Sequence, residues 1–146
     1  MRALFDVNVL IALFDPDHLF HEKAHDWWSE HRNLGWASCT LTENGLIRIL
    51  SNPKYSPERP FTPLDILEKL QGFINQSDHV LLMESPSLLD KSLYQIQPQC
   101  RSAEITDIFL LGLAVRNQMR LVTFDRGISL KNVKNTASDH IVVLSK

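Results

Sequence analysis

The sequence has few cysteines and glycines and no long apolar run. Its 146 residues include two cysteines and five glycines. Cys39 and Cys100 lack Cys-x-x-Cys spacing and are too few for a disulfide framework, so we expect free thiols in a reducing compartment. The glycines form no phosphate-binding loop, which argues against a P-loop nucleotide hydrolase. No segment reaches the roughly 20 apolar residues of a membrane helix, and no secretory signal is recognisable, so we expect a cytoplasmic protein.

The sequence also lacks the excess of positive charge that is common in nucleic-acid-binding proteins. Its formal net charge is −2, with 44% hydrophobic and 22% charged residues, which is typical of a globular protein. A chain of this length predicts one domain, residues 1–146, with a complete core. Net charge does not exclude an RNA or DNA substrate, because four of the acids are expected to share one site and the remaining chain is then net positive.

Strand-like and helix-like segments alternate along the chain. The residue pattern predicts strands at 2–5, 35–38, 79–83, 121–124 and 141–144, and helices at 8–14, 19–31, 41–50, 88–96 and 106–119. A further helix is expected to begin at Pro63 with Thr62 as its N-cap. Four prolines within 52–63 predict an exposed loop. The alternation favours a three-layer α/β/α sandwich with a central, mainly parallel sheet.

Four acidic residues occupy the ends of predicted strands or the beginnings of predicted helices. Asp6 and Asp125 each close an apolar strand, whereas Glu43 and Asp107 lie in or near first helical turns. The carboxyl ends of parallel strands meet at one edge of a sheet, so the four acids are expected to converge there. Carboxylate oxygens are preferred ligands of Mg²⁺ and Mn²⁺, and a bound cation offsets the repulsion between the acids. We therefore predict a metal site.

The segments 5–10 (FDVNVL), 42–43 (TE), 105–108 (ITDI) and 122–125 (VTFD) resemble the motifs of PIN-domain nucleases. Their order and spacing are most similar to the VapC-type toxin ribonucleases of bacterial toxin–antitoxin pairs. The resemblance spans nearly the whole chain. One departure is the pair Asn44 and Gly45, which follows Glu43 where a stronger helix former is more usual.

The resemblance implies an endoribonuclease in which Asp6, Glu43, Asp107 and Asp125 bind Mg²⁺ or Mn²⁺. Asn8 and Thr123 would then be polar supports of these acids. The family likeness also implies a homodimer and a cognate antitoxin. The metal would activate water for attack on an RNA phosphodiester, so that no covalent nucleophile is needed. Candidates for contacts with RNA phosphates are Arg48, Lys54, Arg59, Arg116 and Arg126.

Three other functions compete with this one. His21, Glu22 and His25 satisfy the HExxH motif of zinc proteases, and His31 lies where longer versions have a third histidine. Six residues of helix turn His31 about 240° away from His25, however, and no glycine breaks the helix between them. A haloacid dehalogenase-type phosphatase would need an acid at Asn8. A non-catalytic metal- or RNA-binding module of the same fold remains open.

Overall fold

The computed structural model describes residues 1–144 and has a five-stranded sheet at its centre. The strands are β1 (Ala3–Phe5), β2 (Trp36–Cys39), β3 (His79–Leu82), β4 (Arg120–Thr123) and β5 (Ile141–Val143). Their order in the sheet is β3-β2-β1-β4-β5, and every neighbouring pair is parallel. The prediction of a mainly parallel sheet is therefore confirmed, and each predicted strand lies within one residue of its observed position.

In the described residues, five α-helices lie in the connections between β1 and β4. They are α1 (Val7–Phe14), α2 (His21–His31), α3 (Thr40–Leu50), α4 (Pro63–Asn75) and α5 (Ile105–Arg116). As predicted, the Thr62 side chain caps α4 by accepting a hydrogen bond from the Asp65 amide, and Pro63 occupies the first helical position. The last helix is shorter than its apolar pattern predicted, because Gln118 adopts a left-handed φ of 56° and turns the chain into β4.

Hydrophobic cores on both faces of the sheet make the fold a three-layer α/β/α sandwich. Phe5 and Trp36 pack with residues of α1 to α4 on one face, whereas Leu4 and Leu121 pack with α5 on the other. Successive strand residues point to opposite faces, so adjacent residues such as Leu4 and Phe5 belong to different cores. Each such fully buried side chain contributes about 1.5 to 3 kcal/mol to stability. The predicted architecture is confirmed.

The predicted helix at 88–96 is wrong. This segment consists of turns, and Tyr94 forms an isolated antiparallel bridge with Val133. The Asp90 carboxylate accepts hydrogen bonds from both the amide and the hydroxyl of Ser92, at 2.9 and 2.6 Å. Such side-chain bonds to the local backbone compete with helix formation. The apolar spacing that favoured a helix instead buries Leu93 and Tyr94 against the second core.

Two predictions about the sequence as a whole can be compared with the described residues. Cys39 and Cys100 are both free thiols, as expected. Across residues 1–144, none of the helices combines the length and apolarity needed to span a bilayer.

Candidate carboxylate site

Three of the four predicted acids converge at the carboxyl edge of the sheet. Asp6 directly follows β1, Asp125 lies two residues beyond β4, and Asp107 lies in the first turn of α5. Because β1 and β4 are parallel neighbours, their carboxyl ends lie side by side. One carboxylate oxygen from each of Asp6, Asp107 and Asp125 lies within 4.8 Å of the others. We call these three residues the acidic cluster.

Asp6 is the buried member of the acidic cluster and is held on both oxygens. Its side chain is 5% exposed. Oδ1 accepts a hydrogen bond from the Val7 amide at 2.7 Å, which caps α1, and Oδ2 accepts one from the Thr123 hydroxyl at 2.7 Å. The Thr123 hydroxyl in turn accepts a bond from the Asp125 amide at 3.1 Å. Thr123 thus connects two members of the cluster, in the position expected of a support.

Asn8 is the second residue of α1 and contacts the segment that carries Asp125. Its side-chain oxygen accepts a long hydrogen bond, 3.4 Å, from the amide of Phe124. This contact links the beginning of α1 to the end of β4. Its role as a polar support of the acids stays a prediction.

The packing of the cluster raises the pKa values of two of its members, Asp107 and Asp6. Burial is the main cause of a rise in the pKa of Asp107 to about 7, and the negative charges of Asp6, Asp125 and Glu104 raise it further. Burial also raises the pKa of Asp6, although hydrogen bonds from Thr123 and Val7 oppose that rise. Repulsion among acids that share a small volume is the electrostatic condition that a divalent cation relieves.

Glu43 lies in the first turn of α3, as predicted, but its carboxylate is outside the acidic cluster. It accepts a hydrogen bond of 2.6 Å from the hydroxyl of Ser38, a fully buried residue of β2. The same hydroxyl oxygen lies 2.8 Å from Nε2 of His79. Since the only hydroxyl proton of Ser38 goes to Glu43, Nε2 of His79 is the donor in the second contact. Burial lowers the pKa of His79, and the nearby charge of Glu43 partly opposes that shift.

Sequence reasoning missed Ser38 and His79. The available signal was their position on the neighbouring strands β2 and β3. Trp36 pairs with His79, and side chains alternate along a strand, so Trp36, Ser38 and His79 lie on the same face of the sheet. No sequence motif contains them both.

A cavity of about 200 Å³ adjoins the acidic cluster and has basic residues in its wall. Its wall contains two arginines, Arg101 and Arg126, together with three acids, Glu104, Asp107 and Asp125. Arg126 was among the predicted phosphate contacts, whereas Arg101 was not. The exposed Arg101 guanidinium lies 3.4 Å from Glu104. We call this space the basic cavity.

The other predicted basic residues lie elsewhere. Arg116 is in the last turn of α5, at the opposite end of the helix from Asp107, and pairs with Asp90 at 2.8 Å and Glu84 at 3.3 Å. These ion pairs make it a structural residue in this conformation. Arg48 is exposed in the last turn of α3, and Lys54 and Arg59 are exposed in the proline-containing loop. Their contact with RNA stays a prediction.

The histidines of the HExxH string have a structural role. Nδ1 of His21 lies 2.7 Å from the carbonyl of Ala12, and Nε2 of His25 lies 3.0 Å from that of Leu13. Both carbonyls belong to the last turn of α1, where the helix itself provides no partner. His31 bonds instead to the Trp27 carbonyl. In the described part of the chain, these histidines belong to no group of three metal-ligating side chains, so a zinc-protease site is not supported.

The chain is similar along almost its whole length to curated bacterial proteins, although no family model matches it. It is 37% identical over 144 residues to "Ribonuclease VapC44" of Mycobacterium tuberculosis, an alignment that covers 99% of this chain and 100% of that protein. It is 37% identical over 126 residues to "Ribonuclease VapC38" of the same organism, covering 86% of each chain. The identity to "Ribonuclease VapC39" is 34% over 129 residues, or 88% of this chain and 92% of that one.

Proposed function

The chain belongs to the VapC family of ribonucleases, and from this membership we propose that it is a metal-dependent endoribonuclease whose site is the acidic cluster. The observation that carries the proposal is the convergence of Asp6, Asp107 and Asp125, with one oxygen of each within 4.8 Å of the others. These residues come from three separated segments of a chain that belongs to this family. A purely structural role does not explain why like charges are packed together.

The acidic cluster has the donor chemistry that Mg²⁺ or Mn²⁺ requires. Asp6, Asp107 and Asp125 offer hard carboxylate oxygens, and burial together with mutual repulsion raises the pKa of Asp107 to about 7. These three residues would hold the metal. When bound, such an ion activates water and stabilises negative charge on the reacting phosphate.

Residues of the chain itself orient the Asp6 carboxylate and attract the RNA substrate. Thr123 and the Val7 amide each hold one oxygen of Asp6, so this carboxylate is fixed before any ligand arrives. Arg101 and Arg126 supply positive charge in the basic cavity, where an RNA phosphate would lie beside Asp107 and Asp125. Attack by water requires no covalent nucleophile from the protein.

Glu43 is proposed to act on the site through water. Its carboxylate is held by Ser38, at 2.6 Å, and is supported indirectly by His79. This hydrogen bond fixes the direction of the Glu43 side chain, so that the residue can order a water next to the cluster. Asn8 is proposed to hold the end of β4 next to the beginning of α1 by accepting a hydrogen bond from the Phe124 amide.

We further propose that the protein acts as the toxin of a toxin–antitoxin pair, as one domain in the cytoplasm. A cognate antitoxin would restrain it, and a homodimer is expected from the family.

The test is a cleavage assay on mixed cellular RNA with Mg²⁺ or Mn²⁺. The native chain should cleave, and excess EDTA should abolish cleavage. Asp6→Asn and Asp107→Asn should each lower the rate by at least about 100-fold, since metal activation is the main source of rate enhancement. Asp17→Asn is the matched control, because Asp17 is exposed and lies outside the cluster. Cleavage that persists in EDTA or in both site variants would show that the mechanism is wrong.

Expression in a bacterial host separates a toxin from a housekeeping nuclease. The native chain and Asp17→Asn should arrest growth, whereas Asp107→Asn should not. RNA cleavage in vitro without growth arrest would favour an RNA-processing role, and metal binding without cleavage would favour a non-catalytic module.

A further inference from the structure

We infer that a cleft beside the acids binds one unpaired nucleobase of the substrate RNA and so sets the sequence preference of cleavage. The inference rests on the proposed function. The cleft has a volume of about 520 Å³, within the range of small-molecule sites, and its wall includes Leu41, Asn44, Ser85, Leu88, Thr106 and Phe109. We call it the base cleft.

The position of the base cleft follows from the two helices that carry acids. Thr106 lines the cleft and immediately precedes Asp107 in the first turn of α5, whereas Asp107 lines the basic cavity. Asn44 lines the cleft and immediately follows Glu43 in α3. A phosphodiester bound at Asp107 would therefore have its neighbouring nucleotide within reach of the cleft.

The chemistry of the wall matches a nucleobase, which has apolar faces and polar edges. Leu41, Leu88 and Phe109 supply apolar surface, and the aromatic ring of Phe109 can stack on a base. Asn44 and Thr106 supply hydrogen-bonding groups, and neither side chain is bonded to another residue of the described chain. Single-stranded RNA is read by this combination of stacking and edge contacts.

The unusual pair Asn44 and Gly45 is consistent with this role. Gly45 has a packing reason, because a Cβ atom there would lie 3.0 Å from Cγ2 of Val7. Asn44 has no comparable structural reason: it is exposed, lacks a hydrogen-bond partner among residues 1–144 and is a weak helix former. Its side-chain amide is free to contact a ligand.

A nucleobase fits the base cleft better than a protein partner does. The cleft adjoins the acids on two helices, and polar side chains such as Asn44, Ser85 and Thr106 line it together with apolar ones. Protein interfaces bury much larger surfaces, at about 800 Å² for each partner. A second copy of the chain or another protein remains a distinguishable outcome of the experiment.

The experiment maps cleavage sites on an RNA pool of randomised sequence, by sequencing the new ends. The native chain should prefer one or two bases at a fixed position next to the cleaved bond. Asn44→Ala and Phe109→Leu should relax that preference and lower kcat/KM on the preferred sequence by roughly 5- to 100-fold. Asn33→Ala is the control, since Asn33 is exposed and distant in sequence from the cleft.

Four results would overturn the inference. Native cleavage without base preference, or an unchanged preference in both variants, would show that the base cleft does not read RNA, while the proposed function would stand. A change of sedimentation mass in the variants with unchanged cleavage would identify a protein contact. Absence of RNA cleavage by the native chain would refute the proposed function and this inference together. Thermal unfolding of each variant shows whether it folds. If Phe109→Leu does not fold, the cleavage pattern of Asn44→Ala alone decides.

Discussion

Replacement of Asp107 by asparagine is predicted to stabilise the metal-free protein while it removes activity. The change keeps the size and shape of the side chain and removes its charge. In the native chain the pKa of Asp107 rises to about 7, through burial first and the charges of Asp6, Asp125 and Glu104 second. At pH 8, folding therefore places the charged carboxylate of Asp107 where burial and neighbouring negative charges disfavour it.

The magnitude and its pH dependence follow from linkage. A carboxyl group whose pKa is raised by folding binds its proton more tightly in the folded state, so the folded state loses stability as the pH rises from about 4 to about 7. The interval between 3.8 and about 7 corresponds to roughly 4 kcal/mol at about 1.4 kcal/mol per pH unit. Because Asp107 is only partly buried, solvent screening reduces this to about 1 to 2 kcal/mol.

The assay is urea denaturation in EDTA at pH 4 and at pH 8. Asp107→Asn should exceed the native chain in unfolding free energy by about 1 to 2 kcal/mol at pH 8 and should match it near pH 4. Saturating Mn²⁺ at pH 8 should narrow or reverse the difference, because the cation stabilises only a chain that binds it. Asp17→Asn should not differ from the native chain under any of these conditions. A variant that is no more stable at pH 8, or equally stabilised at both pH values, would refute the electrostatic reasoning.

Two further changes test the basic cavity and the core. Arg126→Ala should weaken RNA binding and reduce the slope of log affinity against log salt by about 0.7, as expected for one lost phosphate contact on a single strand, whereas exposed Arg32→Ala should not. Fluorescence anisotropy between 50 and 200 mM salt measures both the RNA affinity and its salt dependence. An unchanged slope for Arg126→Ala would show that Arg126 does not contact an RNA phosphate. Gly112→Ala should destabilise the fold by about 1 to 3 kcal/mol, because its Cβ would overlap the ring of Tyr94. A Cβ added at Gly72 in α4 would meet no atom within 4 Å other than its chain neighbours and local helix backbone, so Gly72→Ala should be neutral or stabilising. Equal denaturation midpoints for the two glycine variants would contradict the packing described.

The convergence of the acids was predictable because it depends on regular features of the chain. Asp6 and Asp125 each follow an apolar strand, and neighbouring parallel strands bring their carboxyl ends together whatever the distance in sequence. Asp107 lies in the first turn of a helix whose apolar pattern is strong. Backbone topology alone is enough to assemble these three residues.

The direction of the Glu43 side chain was not predictable in the same way. Its place in α3 follows from the helix pattern, but its carboxylate is held by the hydroxyl of Ser38, from another element. Such a choice depends on side-chain contacts that no local pattern contains. The role of Glu43 at the site therefore stays a proposal.

The wrong helix at 88–96 shows the same limit for secondary structure. Apolar spacing favoured a helix, but Asp90 bonds to Ser92, and Tyr94 pairs with Val133 far along the chain. The charge of Arg116 predicted a contact with RNA, which stays a prediction, but its ion pairs with Glu84 and Asp90 were not predictable from the local sequence. The bridge between Tyr94 and Val133 and the ion pairs of Arg116 join residues that are distant in sequence, so no local pattern contains them.

The dependence of RNA cleavage on Mn²⁺ concentration tests the central claim most directly. If Asp6, Asp107 and Asp125 hold the cation, the cleavage rate of the native chain should rise with Mn²⁺ and saturate. Asp6→Asn should raise the Mn²⁺ concentration for half-maximal rate by at least about 10-fold or abolish cleavage, as for loss of a metal ligand or its support. The same half-maximal concentration and the same maximal rate in the native chain and in Asp6→Asn would contradict the claim.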